Sequence, residues 1–243
     1  MNDVYMLSSN FWDWFLKIGE SIYQSLVYDN RYKFILEGVY HTLIIALFSV
    51  IIGSIIGFLV AFIRNNYDRN HKMKGLNFFV KAYVDVIRGT PVILQLMIIY
   101  YVVFKSVDVP VVLVGILAFG INSGAYVSEI IRAGIESIPI GQSEAGYALG
   151  LNYYQVMRYI IFPQAIKNIL PALGNEFITL VKETSVGAYI GIIELTKASD
   201  IIASRTYDYF FPLILVAIIY FLITFVLSKC VKKLERSLAH VKG

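Results

Sequence analysis

The sequence predicts an all-α membrane protein of five transmembrane helices, with the amino terminus outside and the carboxyl terminus inside. An interfacial helix precedes the first span, and a short cytoplasmic helix lies between the third and fourth. Three observations carry this expectation. Of the 243 residues, 58% are hydrophobic and only 16% charged, against about a quarter charged in a soluble domain. Five apolar stretches, at about 39–63, 76–104, 109–131, 159–181 and 207–231, each approach or exceed the roughly 20 residues that cross hydrocarbon as a helix. Basic residues gather in particular loops, as the positive-inside rule requires.

The chain divides into an amphipathic segment at 1–33, a membrane domain at 34–238 and a short tail at 239–243. In the first segment Phe11, Trp14, Phe15, Ile18 and Ile22 recur at helical spacing with Asp13, Lys17 and Glu20 between them, the pattern of a helix lying in the headgroup region. The opening residues have no basic region and no small-residue cleavage site, so no removable signal peptide is expected. In the first span Gly53 and Gly57 form a G-x-x-x-G, which lets another helix backbone approach closely.

After that span Arg64, Arg69, Lys72 and Lys74 face one acid, Asp68, placing the loop in the cytoplasm. The tail, with Lys229, Lys232, Lys233, Arg236 and Lys242 against Glu235, lies on the same side. An outside start and an inside end require an odd number of spans, in agreement with the five stretches. The fourth is the least apolar, because Lys167, Asn168, Asn175 and Glu176 interrupt it and Pro163 and Pro171 would kink it. The 184–206 segment is expected to form an irregular external cap.

Between the third and fourth spans a loop at about 138–158 is too polar to cross a membrane and too patterned for a plain linker. Pro139 and Gly141 punctuate its start, Ser143 is a potential cap with Glu144 in the first turn, and Gly150 is a natural stop. A short helix held between two spans suits docking into a groove of a soluble partner. At this point the sequence resembles the permease family of ABC importers, whose cytoplasmic loop reads E-A-A, three residues, G, nine residues, I-x-L-P. Glu144, Ala145, Gly150, Ile160 and Pro163 match; Gly146 stands for the second Ala, and Phe162 for Leu.

The resemblance runs from about Tyr40 to Leu238 and is closest to the polar amino acid branch. YHTLIIAL opens the first span, Arg88-Gly89-Thr90-Pro91 lies in the second, and INSGAYVSEIIRAGI and FPQAIKNILPALGNEFITLVKETS flank the loop. It implies a type I importer permease fold in which the loop is the coupling helix. It also implies a second permease subunit, either an identical copy or a paralogue, two ATPase subunits that use ATP and Mg, and an external amino-acid-binding protein or domain. Lipid would surround the chain, and no nucleic acid would bind. Another small solute, methionine or a quaternary amine, is the alternative cargo within this class.

The chain contains no Gly-Lys dipeptide, so no Walker phosphate loop can be written in it and ATP chemistry is left to partners. It also lacks H-E-x-x-H and any Cys/His cluster for a metal, and Cys230 is its one cysteine. No catalytic residues, bound cofactor or metal are expected of it. An ion-driven secondary carrier is the further alternative, although such carriers commonly show internal repeats and more spans; a membrane enzyme would need a convergent acid, base and nucleophile, and no such cluster is found.

Polar side chains within spans are costly, about 2.5–3.5 kcal/mol for a charge at the helix centre. Gln95, Asn122, Ser123 and Glu183 are therefore candidates along a substrate path, with Glu183 an acceptor for an ammonium group. Asn122 and Gln95 could instead bond neighbouring helices. Arg88, Gly89, Thr90 and Pro91 are candidates for a bend or gate, with Asp85 as a partner for Arg88. Glu129 and Arg132, three residues apart, are expected to pair.

Overall fold

The computed structural model describes residues 16–71 and 73–240. The expected anchors Phe11, Trp14 and Phe15 lie outside that range. Residues 16–22 are helical and continue through a π-turn, Tyr23–Val27, into a 3-10 turn, Tyr28–Asn30. The main helices follow: α1 (Tyr32–Asn70), α2 (Lys74–Gly89), α3 (Val92–Val103), α4 (Val111–Glu136), α5 (Ile140–Ala148), α6 (Tyr153–Val156), α7 (Phe162–Glu183), α8 (Leu195–Thr206) and α9 (Phe210–His240).

Among the described residues, three helices are long and apolar enough to cross a membrane, namely Tyr32–Asp68, Val111–Glu136 and Phe210–Leu238. The stretch read as one second span is broken. α2 and α3 meet at a bend of 113° and make a fourth crossing if the pair counts as one span. Pro91 causes the break, since it has no N–H to continue the helix and disfavours helical backbone at the residue before it. Thr90 is accordingly extended, with φ −124° and ψ 148°. α7 is not among the apolar spans; it carries Lys167, Asn168, Asn175, Glu176, Lys182 and Glu183.

α1 and α4 form the centre of the bundle. At 39 residues, α1 is about 58 Å long, well beyond the roughly 30 Å of hydrocarbon. Its Gly53 and Gly57 lie against Ser123 and Val127 of α4, while Gly120 and Gly124 of α4 lie against Ile52 and Ile56 of α1. A Cβ on Gly57 would come within 2.6 Å of Val127 Cγ1, and one on Gly124 within 2.6 Å of Ile56 Cγ2. The G-x-x-x-G is therefore a packing seam, matched by a second small-residue pair on its partner.

Residues 184–206, expected to be irregular, are ordered as a 3-10 turn, Thr184–Ile190, followed by α8. The fully buried Glu194 caps α8. Its Oε1 accepts from Lys197 N at 2.7 Å, and its Oε2 accepts from Thr196 N at 2.7 Å and Tyr220 Oη at 2.9 Å. Burial pushes this carboxyl's pKa upward, and the two backbone N–H groups and Tyr220 act in the opposite direction. On the α1 side, Thr42 Oγ1 accepts from Leu195 N at 3.4 Å, and His41 Nδ1 lies 2.9 Å from the Ile193 carbonyl. The Glu194 carboxylate thus holds α8 to α9, while Thr42 and His41 hold the amino end of α8 to α1.

Gly57→Val should lower the unfolding midpoint in detergent, by the equivalent of about 1–3 kcal/mol for overpacking a tight interface. Gly75→Ala, with no neighbour within 4 Å of the added carbon, should leave it nearly unchanged. Equal midpoints for the two variants would refute the seam.

Candidate functional site

The 138–163 loop is built to be rigid. α5 starts directly after Pro139 with no side-chain cap, so Ser143 is interior to the helix instead of capping it, and Glu144 lies beyond the first turn. The stop is a Schellman motif, with Leu151 N donating to Gly146 O at 3.1 Å and Gly150 N to Tyr147 O at 2.9 Å. It requires a left-handed residue, and Gly150 has φ +81°. Asn152 and Gln155 then form a capping box that starts α6.

The spaced motif residues meet in three dimensions. A Cβ on Gly146 would lie 2.7 Å from Ile160 Cδ1 and 2.8 Å from Val156 Cγ2, so this position sits directly against the motif isoleucine. Pro163 is the second residue of α7 and follows directly on the π-turn Met157–Ile161, where the regular helical hydrogen bonding is already shifted. Glu144 and Ala145 are exposed, as are Ile140 at 76% and Leu149 at 79%. The outer surface of α5 thus joins apolar Ile140, Ala145 and Tyr147 with the polar Gln142 and a single carboxylate, Glu144, at its middle. The Asn65 amide of α1 donates to Tyr153 Oη at 2.7 Å, and Asn168 Nδ2 of α7 donates to Ser137 Oγ at 2.8 Å. Both ends of the loop are thereby fixed to long helices.

An ion cluster stands beside this loop. Glu129 of α4 accepts from Arg64 of α1 through Oε1, and from Arg132 Nη2 through Oε2 at 2.7 Å. Arg132 also reaches Glu136 at 2.6 Å. The expected Glu129–Arg132 pair is present, enlarged by Arg64, Glu136 and Arg88. Arg88 is found with Glu129 at 3.8 Å and with its guanidinium over the Tyr126 ring, 5.5 Å from the centroid. Asp85 was its expected partner; the bend directs Arg88 across to α4 instead.

Deeper in the bundle, Gln95 stitches the broken span. The Ile87 carbonyl would bond residue 91 in a continuous helix, but Pro91 has no hydrogen to give. Gln95 Nε2 takes that place at 2.8 Å, and also contacts Thr90 O at 3.1 Å and Thr90 Oγ1 at 2.8 Å. Its Oε1 accepts from Asn122 Nδ2 of α4 at 2.9 Å. Two of the path candidates, Gln95 and Asn122, are therefore joined, and Gln95 has its amide committed to the bend formed by Arg88, Gly89, Thr90 and Pro91.

Ser123, fully buried, donates to Glu176 Oε1 of α7 at 2.7 Å. Glu183 lies seven residues further on, two turns along the same face of α7. Among the described residues, none donates a hydrogen bond to it. Ser123 and Glu176 thus meet between α4 and α7, and Glu183 follows on the same face of α7. In the sequence Glu176 stands out only as an interruption of an apolar stretch, although its seven-residue spacing from Glu183 is a usable signal. Arg64 carries only a topology signal there, and no local pattern marks its partner 65 residues away.

A family model described as the binding-protein-dependent transport system inner membrane component matches residues 53–240. The chain is 40% identical over 213 residues to the putative glutamine transport system permease protein GlnP of Rickettsia bellii, covering 87% of this chain and 95% of that one. It is 39% identical over 207 residues to the arginine transport system permease protein ArtQ of Bacillus subtilis, covering 84% and 92%. To the L-cystine transport system permease protein TcyB of the same organism it is 36% identical over 226 residues, covering 92% and 94%. Among solved structures, an amino acid ABC transporter matches with a TM-score of 0.78 at 42% identity, covering 84% of this chain and 94% of that one. A methionine ABC transporter matches at 0.66 and 22% identity, covering 85% and 98%, a likeness of fold.

Gln95→Leu should strip the Ile87 and Thr90 carbonyls of their donor and Asn122 of its acceptor, a loss of about 1–3 kcal/mol for buried groups left unpaired. The expected result is a lower unfolding midpoint, with faster amide exchange concentrated at residues 87–95. Exchange unchanged in that segment would show that the bend does not depend on Gln95.

Proposed function

We propose that this chain, which belongs to the family of binding-protein-dependent transport system inner membrane components, carries a polar or charged amino acid inward across the cytoplasmic membrane. It does so as the permease of an ABC importer. Relatives named for glutamine, arginine and cystine transport support this cargo class, and the two carboxylates on α7 give it a chemical basis. Every amino acid presents an ammonium group, and Glu176 and Glu183 are acceptors for it in a low-dielectric passage.

The exposed α5, fixed at both ends, is the observation that carries the reading. A surface helix is a useful lever only if its displacement reaches the spans. Here α5 continues through α6 into α7 and is tied to α1 by Asn65 and Tyr153. In our reading Glu144, Ala145, Gly146 and Gly150 form the coupling helix that docks on an ATPase subunit, with Ile160 and Pro163 as its support. The complex contains two such ATPases, a second permease subunit and an external binding protein. ATP and Mg belong to the ATPases, and this chain has no hydrolytic site of its own.

The orientation is amino terminus outside and carboxyl terminus inside, with α1, α2 joined to α3, α4, α7 and α9 as the five spans. α7, the polar one, faces the passage, which explains how it tolerates Glu176 and Glu183. Closure of the ATPases moves α5, α7 follows, and the α4–α7 face opens alternately to the two sides. The bent α2–α3 pair, held by Gln95 and flanked by Arg88, is placed to act as the hinge of that motion.

Two outcomes test this in proteoliposomes holding the chain with its ATPase and binding protein. Glu144→Ala should lower uptake about tenfold or more while ATP hydrolysis persists, the signature of uncoupling, as expected when a charged contact of about 1.5–3 kcal/mol is lost. Normal coupled uptake by this variant would remove α5 from the coupling role. Glu176→Gln should lower uptake with hydrolysis retained; uptake at the unmutated level would take the carboxylate pair out of the path.

A further inference from the structure

A cavity lies beyond the end of α7. Its volume is about 400 Å³, within the range of about 300–1,000 Å³ typical of small-molecule sites. Its walls are the 3-10 turn Thr184–Ile190, α8 and the first turn of α9, and they include Ser185, Tyr189, Lys197, Asp200 and Tyr209. Ser185 stands two residues past Glu183, so the cavity begins just beyond the end of the helix that carries both carboxylates.

Three features give this largely apolar cavity a polar focus. Lys197 and Asp200 both line it with side chains 34% and 47% exposed, and such charges are tolerated in water or against partners but not against lipid chains. Their ends meet at 2.7 Å, which leaves the wall electrically neutral while presenting one ammonium and one carboxylate side by side. Two tyrosines, 64% and 55% exposed, add amphipathic surface around that pair. The amino end of α8 itself is already satisfied, because Glu194 accepts from Thr196 N and Lys197 N.

We infer that this cavity is an entry-side binding site for the zwitterionic head group of an amino acid, built by Lys197 and Asp200 and walled by Tyr189 and Tyr209. A zwitterion carries the complementary pair of charges a few ångströms apart. It can take over both partners at once, its carboxylate on Lys197 and its ammonium on Asp200, so that no charge is left unpaired when the internal bridge opens. A lone anion or a lone cation satisfies one and strands the other. The site therefore selects the feature common to all amino acids and leaves side-chain discrimination to other elements. It rests on the proposed amino-acid cargo, and lies upstream of Glu183 and Glu176 on the same route.

The test uses the complex of this chain with its ATPase in nanodiscs, without the external binding protein, and saturation-transfer NMR with glycine, acetate and methylammonium as probes. Glycine should take up saturation, acetate and methylammonium at least about tenfold less, the factor for losing one ionic contact of about 1.4 kcal/mol. Measured with Glu176→Gln and Glu183→Gln in the background, which removes the ammonium acceptors of α7, the Lys197→Met/Asp200→Asn double variant should abolish the glycine signal with an unchanged unfolding midpoint. Ala188→Trp, which fills the cavity and keeps both charges, should abolish it as well. A glycine signal that survives either variant, or acetate saturating as strongly as glycine, would overturn the assignment. Uptake by the unmutated full complex separates the two claims. Amino-acid transport without this NMR pattern refutes the entry site alone, whereas absence of amino-acid transport refutes the cargo reading on which it stands.

Discussion

Gly53 and Gly57 of α1 interleave with Gly120 and Gly124 of α4 so closely that added methyl groups would overlap their neighbours. Nearly every other arrangement follows from that contact, because α4 carries the side chains that reach outward from the seam. Asn122 reaches Gln95 on α3, Ser123 reaches Glu176 on α7, and Glu129 gathers Arg64 from α1 and Arg88 from α2. If the two backbones stood a few ångströms further apart, those cross-helix bonds could not all form within hydrogen-bonding distance. The small residues are thus a condition for the polar network as well as for packing.

The bend at Thr90–Pro91 illustrates how a local cost is absorbed by a distant side chain. Proline removes one donor, and a carbonyl left unpaired inside a bilayer costs several kcal/mol. Gln95 replaces the donor and at the same time fixes the bend to α4 through Asn122. The same residue therefore serves local backbone satisfaction and helix–helix registration. This is why a glutamine in the apolar stretch, which looks like a candidate for contacting cargo, is occupied by the fold itself.

Much of this was legible in the sequence, to different degrees. The helical class, the apolar stretches and the loop with its Gly150 stop follow from periodicity and composition, which are local properties. So does the break at Pro91, although a one-dimensional hydropathy reading merges α2 and α3 into a single stretch. Ser143 was misplaced as a cap because Pro139 starts the helix one turn earlier. What composition could not reveal are partnerships across long separations, such as Arg64 with Glu129 or Glu194 with Tyr220. The order in residues 184–206 depends on the second of these, since Glu194 caps α8 from a buried position between α1 and α9.

The same long-range pairs determine how motion can pass through the molecule. α5 is nine residues long and mostly exposed, so by itself it has little packing to transmit force. Its displacement reaches the spans by two routes: along the chain through α6 into α7, and sideways through Tyr153 to Asn65 on α1. One residue before Asn65, Arg64 grips Glu129, and Arg88 sits 3.8 Å from that carboxylate at the edge of the bend. In the proposed mechanism a push on the loop is thereby divided between the helix that bears Glu176 and Glu183 and the ion cluster beside the bend. Because Arg88 is the most weakly held of the three arginines around Glu129, it is the contact that can open first while Arg64 and Arg132 keep the carboxylate neutralised.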